Sequence, residues 1–274
     1  MILKNKTAII TGGTGGIGKA IAEHFLKEGA RVLIVSRNKN KLRETQKYLS
    51  CFGKIYIFKA DIALLKDIKK AVLYAKKIFK NIDILVNCAG IQAPLGPFVK
   101  NNLLDWWKNI KINLLGTVAF TKEILPLMLA RKSGKIINFS GGGATSSRPN
   151  FSAYAVSKIG VVKFTEIVAA ELKNSGVYIN AIAPGAINTN MLNEVLKAGK
   201  IVGEKELKEA KKRLKEGGDS LEEAVLLVLF LASDKSNGLS GKLISAVWDD
   251  WKNWDKNKIA EIMKSDKYTL RRVK

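Results

Sequence analysis

The sequence predicts a single-domain α/β protein in which helices cover both faces of one parallel β-sheet. Short runs rich in β-branched residues alternate with amphipathic, helix-like stretches along the 274 residues. The runs are continuously apolar, which is typical of strands buried on both faces. No Pro-, Gly- or Ser-rich linker and no internal repeat divides the chain, so residues 1–274 are expected to form one domain.

Seven strands are expected, and helices separate them. The strands are predicted at 7–11, 31–36, 54–59, 83–87, 135–139, 177–181 and 242–245. The helices are predicted at 16–28, 39–49, 64–80, 103–131, 152–174 and 221–233, and the fourth is expected to break near Asn113. This alternation predicts a doubly wound, mostly parallel seven-stranded sheet.

Composition excludes several classes of protein. With 47% hydrophobic and 26% charged residues, the chain has ordinary globular composition, unlike a disordered tail or a collagen-like fibre. The apolar stretch 224–232 is far shorter than the ~20 residues of a membrane span, and no signal region is apparent. Two cysteines and one histidine, His24, argue against a disulfide framework, a metal site and a Ser-His-Asp triad. We therefore expect a cytoplasmic protein that neither binds a metal nor associates with a membrane.

The net charge of +23 is open to three interpretations. Only eight of the 47 basic residues are Arg, and the Lys residues are scattered along the chain. This distribution favours a compositional bias on solvated helix faces over nucleic-acid binding, which would benefit from clustered Arg. Attraction of an anionic substrate into a positive field is the third interpretation. We expect no nucleic-acid partner.

A glycine-rich turn joins the first predicted strand to the first helix. Its sequence is Thr11-Gly-Gly-Thr-Gly-Gly-Ile-Gly18. Glycines let the backbone approach a pyrophosphate without a Cβ in the way, and free N–H groups at the helix start then face the phosphates. Because the turn directly follows a strand, it predicts a dinucleotide site with these residues: Gly12, Thr14, Gly16, Ile17 and Gly18.

The spacing Thr11-Gly12-x-x-x-Gly16-x-Gly18 resembles that of the short-chain dehydrogenase/reductase family more than the plain dinucleotide fingerprint. Further stretches resemble the family in the same order: Asn87-Cys-Ala-Gly90, Asn113 in Lys-Ile-Asn-Leu-Leu-Gly, Tyr154-Ala-Val-Ser-Lys158 and Pro184-Gly185. The resemblance covers roughly residues 5–245. It implies a Rossmann-type fold, a nicotinamide cofactor and a homodimer or homotetramer packed through the long helices.

The residues at the end of the second strand indicate which of the two nicotinamide cofactors is bound. An acidic residue there would bind the adenosine ribose and repel a 2′-phosphate. The sequence has Ser36 and Arg37 instead, and a guanidinium matches a phosphate in charge and geometry. NADP(H) is therefore favoured over NAD(H), with an ordinary surface arginine as the alternative.

The resemblance also implies the remaining cofactor contacts. Asp61 and Ile62 would contact the adenine. Asn87, Ala89 and Gly90 would lie on the adenosine ribose side, and Asn87 has an alternative structural role between neighbouring strands. The segment after the sixth strand would hold the nicotinamide amide through Thr189, together with Pro184, Gly185 and Ile187.

Tyr154 and Lys158 are four residues apart, so a helix places them on one face. A phenol has a reference pKa of about 10, and a nearby ammonium and the oxidised nicotinamide would lower it. By the resemblance, Tyr154 is the acid/base, and Lys158 modulates it and binds the nicotinamide ribose. Asn113 would hold a water that links Lys158 to solvent, or would only satisfy backbone groups at the helix break.

The sequence departs from the family at one catalytic position. The family serine, thirteen residues before the tyrosine, is replaced by Gly141. Ser140 is one position away, and the flexible run that follows it would allow a register shift that brings its hydroxyl into place. Alternatively, Ser140 faces away and the site lacks this hydroxyl.

Two segments are additions to the basic fold. Residues 190–218 lie where the family carries a substrate lid, and Met191, Leu192, Val195 and Leu196 recur there at helical spacing. They are expected to pack on the core or to cover the substrate. In the C-terminal extension, residues 246–274, three Trp residues at intervals of three can line one side of a helix. They would anchor the extension on its own core or on a neighbouring subunit.

These observations predict an NADP(H)-dependent oxidoreductase that transfers a hydride between nicotinamide and a carbonyl/alcohol substrate. The replacement at Gly141 motivates an alternative, a cofactor-binding sensor or scaffold with little turnover. A dehydratase or epimerase on the same fold is a further alternative. The basic field makes an anionic substrate more plausible than a neutral one.

Overall fold

The computed structural model describes residues 1–272 and contains one seven-stranded sheet. Its strands are β1 (Thr7–Thr11), β2 (Arg31–Ser36), β3 (Ile55–Lys59), β4 (Ile84–Asn87), β5 (Gly134–Phe139), β6 (Val177–Ala183) and β7 (Leu243–Ser245). They lie in the order β3-β2-β1-β4-β5-β6-β7, and every neighbouring pair is parallel. The sheet is wholly parallel, where the sequence predicted a mostly parallel one.

Ten α-helices are found in the described part of the chain. They are α1 (Gly16–Lys27), α2 (Lys39–Leu49), α3 (Leu65–Ile78), α4 (Leu103–Ile110), α5 (Gly116–Ala130), α6 (Ser152–Glu171), α7 (Asn190–Ala198), α8 (Glu204–Glu216), α9 (Leu221–Ala232) and α10 (Lys256–Met263). The sequence predicted the main helices within a few residues of these bounds. The additional helices lie in the two segments that it treated as additions.

The order of the strands places a crevice at the carboxyl ends of β1 and β4. After β1 the chain forms β2 and β3 on one side, and β4 then returns to the other side of β1. Thr11 pairs with Val35 of β2 and with Asn87 of β4, so the three strands end at the same level. Ligands of open α/β sheets bind where the strand order reverses in this way.

Helices cover both faces of the sheet, as the apolar strands predict. Ile9 and Ile10 are adjacent and both fully buried, although their side chains lie on opposite faces. Ile10 packs in a core with Phe25 of α1 and Val228 of α9. Ile9 packs in a second core with Phe120 of α5. The continuously apolar strands therefore reflect burial on two sides.

The helix break predicted near Asn113 is a widened turn. Residues Lys111–Leu115 form a π-helical turn between α4 and α5, and the helix continues through it. The continuous helix Leu103–Ala130 is long and apolar enough to cross a membrane, but half of its most apolar 18-residue stretch is buried inside the protein. This combination is typical of a core helix, so its length is weak support for a membrane span.

The segment 190–218 folds over the carboxyl edge as α7, a 3-10 turn and α8. Leu192 and Val195 are buried in one apolar cluster with Phe151, which directly precedes α6, and with Tyr154 of α6. Met191 is half-buried and faces the cavity described below. The apolar residues of this segment therefore pack on the core, and Met191 lines a cavity; the role of the segment as a substrate lid stays a prediction.

The C-terminal extension packs on its own domain. Trp248 is 83% exposed, whereas Trp251 and Trp254 are 5% and 6% exposed and lie in the core beneath α1 and α9. The expectation that all three line one side of a helix is wrong, because only a 3-10 turn, Trp251–Asn253, forms there. The indole N–H of Trp251 donates to the carbonyl of Ala246 at 3.2 Å. Residues 273–274 of the extension lie outside the described residues.

The two environments of the tryptophans predict unequal effects of truncation. Trp251→Ala should lower the free energy of unfolding by about 3–5 kcal/mol, because it leaves a cavity in the core. Trp248→Ala, the exposed control in the same segment, should change it by less than about 0.5 kcal/mol. Urea unfolding of both variants measures the difference. Equal effects would contradict the packing described for the extension.

Candidate active site

The glycine-rich turn after β1 is built by close approaches of the backbone. Gly12 has a φ of +73°, and a Cβ there would lie 2.8 Å from the Cα of Ala89. A Cβ at Gly18 would lie 2.5 Å from the carbonyl oxygen of Gly12. A Cβ at Gly15 would meet nothing within 4 Å, so the start of α1 faces open space. No side chain caps the first N–H groups of α1, which leaves them free to bind an anion.

A cavity of about 360 Å³ extends from this turn to α6 beneath α7. Most of the predicted site residues line it: Gly12, Thr14, Gly16, Ile17, Gly18, Ser36, Arg37, Ile62, Ala89, Gly90, Ser140, Tyr154, Lys158, Pro184 and Thr189. The sequence reasoning did not single out several other wall residues, among them Ile91, Ile112, Asn190 and Glu194. They adjoin the recognised motifs or come from the lid.

Some predicted site residues lie outside the wall and have structural partners. The carboxylate of Asp61 accepts the N–H of Ala63 at 2.9 Å. Asn87 is buried and donates to Asn138 of β5 at 2.9 Å, which corresponds to its alternative role between strands. Gly185 has a φ of +93° at a turn, and Ile187 packs against the core. The cofactor contacts expected of these residues stay predictions.

The end of the cavity beside the carboxyl end of β2 contains hydroxyls and a guanidinium. The hydroxyls of Thr14 and Ser36 lie 2.9 Å apart. Arg37 is exposed at the wall. Among the described wall residues, the only carboxylate is that of Glu194, which α7 carries. This end is therefore free of the acidic group that would repel a 2′-phosphate.

Tyr154 and Lys158 are buried side by side on the inner face of α6. The ammonium of Lys158 donates to the carbonyl of Phe139, the last residue of β5, at 2.8 Å. It lies 5.6 Å from the centroid of the Tyr154 ring. Gly90 lies beside Lys158, since a Cβ there would be in ordinary contact with the ammonium nitrogen at 3.5 Å. The end of β5, the turn after β4 and α6 together hold this cation.

Burial determines the protonation of both groups. It lowers the pKa of Lys158 to about 8, and it raises the pKa of Tyr154 above its ordinary value. The cation that acts against burial at Tyr154 is Arg148, not Lys158. The expectation that Lys158 lowers the pKa of Tyr154 is therefore not met by the groups of the protein alone.

Asn113 is fully buried, and its side chain bonds to protein groups. Its amide oxygen accepts the N–H of Ile91 at 2.8 Å. Its amide nitrogen lies within hydrogen-bond distance of the carbonyl of Ile91, of Asn109 and of Ser157. These contacts match the alternative in which Asn113 satisfies polar groups at the helix break. It also lies next to Gly90, opposite Lys158.

Gly141 stands where the family has a serine, and the Tyr154 side chain occupies the space beside it. A Cβ at Gly141 would lie 2.2 Å from the Tyr154 hydroxyl oxygen. The hydroxyl of Ser140 is buried and has no hydrogen-bond partner among the described residues. A buried hydroxyl without a partner is costly, by about 1–3 kcal/mol, and such an atom at a cavity wall is suited to bind a ligand. The orienting role of Ser140 stays a prediction.

Arg148 is a residue of this site that the sequence reasoning missed. Its Nε and Nη2 donate to the two carboxylate oxygens of Glu206 on α8, at 2.8 and 2.9 Å. Its guanidinium stacks over the Phe151 ring at 3.8 Å and lies 6.0 Å from the Tyr154 ring. This ion pair joins the loop before α6 to the lid. Sequence spacing gives no signal for it, because the two residues are 58 positions apart.

Comparisons with known proteins agree with this geometry. Residues 6–199 match the family model described as short chain dehydrogenase. A short chain dehydrogenase of Pseudocercospora fijiensis is 38% identical over 69% of this chain and 62% of that protein. The 3-oxoacyl-acyl-carrier-protein reductase FabG of Thermotoga maritima is 33% identical over 89% of this chain and 97% of that protein.

A solved structure of an actinorhodin polyketide ketoreductase with NADPH superposes with a TM-score of 0.81. It is 28% identical, and the match covers 91% of this chain and 98% of that one. The fold, the ordered motifs and these matches define an NAD(P)-dependent oxidoreductase. The chain belongs to the short-chain dehydrogenase/reductase family.

The contact between Tyr154 and Gly141 predicts the effect of reinstating a serine. Gly141→Ser should lower the free energy of unfolding by about 1–3 kcal/mol, because the new Cβ overlaps the buried phenol. Gly142→Ser is the matched control, since its nearest neighbour would lie 3.6 Å away, an ordinary contact. Urea unfolding measures both. If Gly141→Ser unfolds like the parent protein, the phenol moves aside freely and its position here is not fixed.

Proposed function

We propose that this protein is an NADP(H)-dependent oxidoreductase that reduces a carbonyl or oxidises an alcohol by a Tyr-Lys mechanism. The observation that supports the proposal is that Tyr154 and Lys158 line the same cavity as the glycine-rich turn. A dinucleotide held by that turn would reach the buried pair. Among the described wall residues, no other phenol and no second buried ammonium lines this cavity.

The residues present fit a dinucleotide phosphate. The glycines of the turn leave open a cradle that side chains would fill, and the free N–H groups of α1 face it. Arg37 would hold the 2′-phosphate, and Ser36 and Thr14 would bind beside it through their hydroxyls. Ile62 and Ala89 would contact the adenosine, Lys158 the nicotinamide ribose, and Thr189 the nicotinamide amide. NADP(H) is preferred over NAD(H) on this arrangement.

When bound, the nicotinamide supplies or accepts a hydride. In reduction, Tyr154 donates the proton of its hydroxyl to the carbonyl oxygen, and in oxidation it accepts that proton from the alcohol. Because burial raises its pKa, Tyr154 is protonated at neutral pH and is ready to act as an acid. Lys158 stabilises the phenolate that this transfer leaves, and its lowered pKa places it near the operating pH.

The substrate would enter beneath α7 and α8. Met191 contributes an apolar surface to the cavity, and Ser140 offers an unpartnered hydroxyl. Arg148 does not offer a free cation to an anionic substrate, since Glu206 engages two of its nitrogens. Attraction of an anionic substrate would therefore come from the overall field of the protein. The two curated relatives above are named as reductase and dehydrogenase, which supports a small carbonyl/alcohol pair as the substrate class.

Assembly through the long helices is supported by exposed apolar side chains on α5 and α6. Leu129 of α5 and Val156, Ile159 and Ile167 of α6 are 39–53% exposed. Burying them against a second copy would remove this apolar area from water. We therefore include a homodimer or homotetramer in the proposal.

The proposal also includes a reducing, cytoplasmic location, since both cysteines are free thiols.

Removal of the phenolic hydroxyl tests the mechanism. Tyr154→Phe should lower kcat for carbonyl reduction by about 10²–10⁴-fold, because the proton donor is lost. NADPH binding, measured by fluorescence, should be retained. Tyr74→Phe on α3 is the matched control, because this ring packs on Phe58 away from the cavity. Normal turnover of Tyr154→Phe would refute the mechanism.

A broad carbonyl panel with the parent protein separates the proposal from its main rival. Turnover of any member supports an oxidoreductase. Tight NADPH binding without turnover would instead favour a sensor or scaffold, which the glycine at position 141 motivates.

Cofactor preference is tested at the adenosine end. Arg37→Leu should raise the KM for NADPH by about 10- to 100-fold, the loss of one charge-assisted hydrogen bond, and leave the KM for NADH unchanged. Arg43→Leu on α2 removes an exposed arginine outside the cavity wall and serves as the control. Steady-state kinetics with both cofactors measure the ratio. Equal effects on NADPH and NADH would show that Arg37 does not select the phosphate.

A further inference from the structure

A second cavity opens at the opposite edge of the sheet, at the amino ends of β4 and β5. Its volume is about 200 Å³. The walls come from the segment before β1, the starts of β4, β5 and β6, and the end of α9 with the turn that follows. The length of β5 separates it from Ser140 and the catalytic cavity. It shares no wall residue with that cavity.

Lys135 carries a buried ammonium at the wall of this cavity. The residue is only 8% exposed. Its Nζ donates to the hydroxyl of Ser236 at 3.0 Å and lies 4.4 Å from the centroid of the Tyr178 ring. Among the described residues, Ser236 is its only hydrogen-bond acceptor, and no carboxylate lies within ion-pair distance. An ammonium has three N–H donors, so two of them make no hydrogen bond to an oxygen of these residues.

The other charged groups of the wall leave the cavity positive. Lys6 and Lys132 add two ammonium groups, and Asp83 and Asp234 add two carboxylates. The Asp83 carboxylate is already engaged, since Arg131 donates to one oxygen at 2.7 Å and the N–H of Thr7 to the other at 2.8 Å. Only the exposed Asp234 is left to balance the three lysines.

We propose that this cavity binds a small oxyanion of two negative charges, of the size of an inorganic sulfate or phosphate or a short dicarboxylate, which pairs with Lys135. The anion would accept the two free N–H groups of the buried ammonium. Lys6 and Lys132 would lie at its rim. A buried charge is stable when it is paired and hydrogen-bonded, and the anion supplies both. This site is independent of the proposed oxidoreductase function.

Proton linkage gives the proposal a characteristic signature. Burial lowers the pKa of Lys135 to about 7; Asp234 acts against this and Lys6 adds to it. Asp83 before β4, Lys132 before β5 and Tyr178 on β6 are the other titratable groups of the wall. An anion pairs only with the charged amine, so the affinity should fall about tenfold between about pH 6 and pH 8. An ordinary surface lysine would stay charged over that range.

Calorimetric titration tests the proposal with two probes, sulfate and malonate, which represent the tetrahedral and the dicarboxylate sources. The parent protein should bind at least one of them saturably in the millimolar range, with the stated pH dependence. Lys135→Met should lose this binding. Lys69→Met, an exposed α3 lysine outside both cavities, is the control of equal charge and should keep it. Anion binding at the glycine-rich turn does not depend on Lys135, so only the component removed by Lys135→Met counts.

A second variant keeps the test decisive if Lys135→Met does not fold. Lys132→Met changes an exposed side chain of the same wall and should weaken binding by about 3- to 10-fold. Saturable binding of either probe that depends on these lysines supports the site. The proposal would be overturned if the parent protein shows no saturable binding, or if both cavity variants bind with the affinity of the parent. It would also be overturned if the affinity does not change with pH.

Discussion

The active site depends on the burial of one ammonium, that of Lys158, at the carboxyl end of β5. Its hydrogen bond to the Phe139 carbonyl ties α6 to the sheet edge, directly opposite the turn that follows β4. A buried cation without a carboxylate is costly unless nearby groups satisfy it. The same placement fixes Tyr154 one helical turn away on the same face. The proposed catalytic chemistry therefore depends on a position that the packing of strand and helix determines.

Most of the architecture follows from local sequence patterns. Continuously apolar strands such as Thr7–Thr11 and Arg31–Ser36 require two covered faces, and this requirement gives the parallel sheet. The glycine-rich turn and the Tyr-Lys pair are local as well, because each lies within a single strand–turn–helix or helix. Fifteen of the twenty predicted site residues line the cavity, and placing them there needs no long-range information beyond the order of the strands.

Features that arise from distant contacts could not be predicted. Arg148 meets Glu206 only because the lid folds back over the loop before α6. Burial raises the pKa of Tyr154, and the sequence does not show burial; it shows only the charges that would lower this pKa. The tryptophans of the extension follow a helical spacing, yet Asp250 precedes a 3-10 turn that places Trp251 in the core. In each case, tertiary packing overrides a local pattern.

The most direct test of the account is a crystal structure of the protein with NADPH. We expect the Tyr154 hydroxyl beside the nicotinamide ring, Lys158 on the nicotinamide ribose and Arg37 on the 2′-phosphate. A phenol that stays over Gly141, shielded from the nicotinamide by the residues of α7 and α8, would contradict the proposed proton transfer.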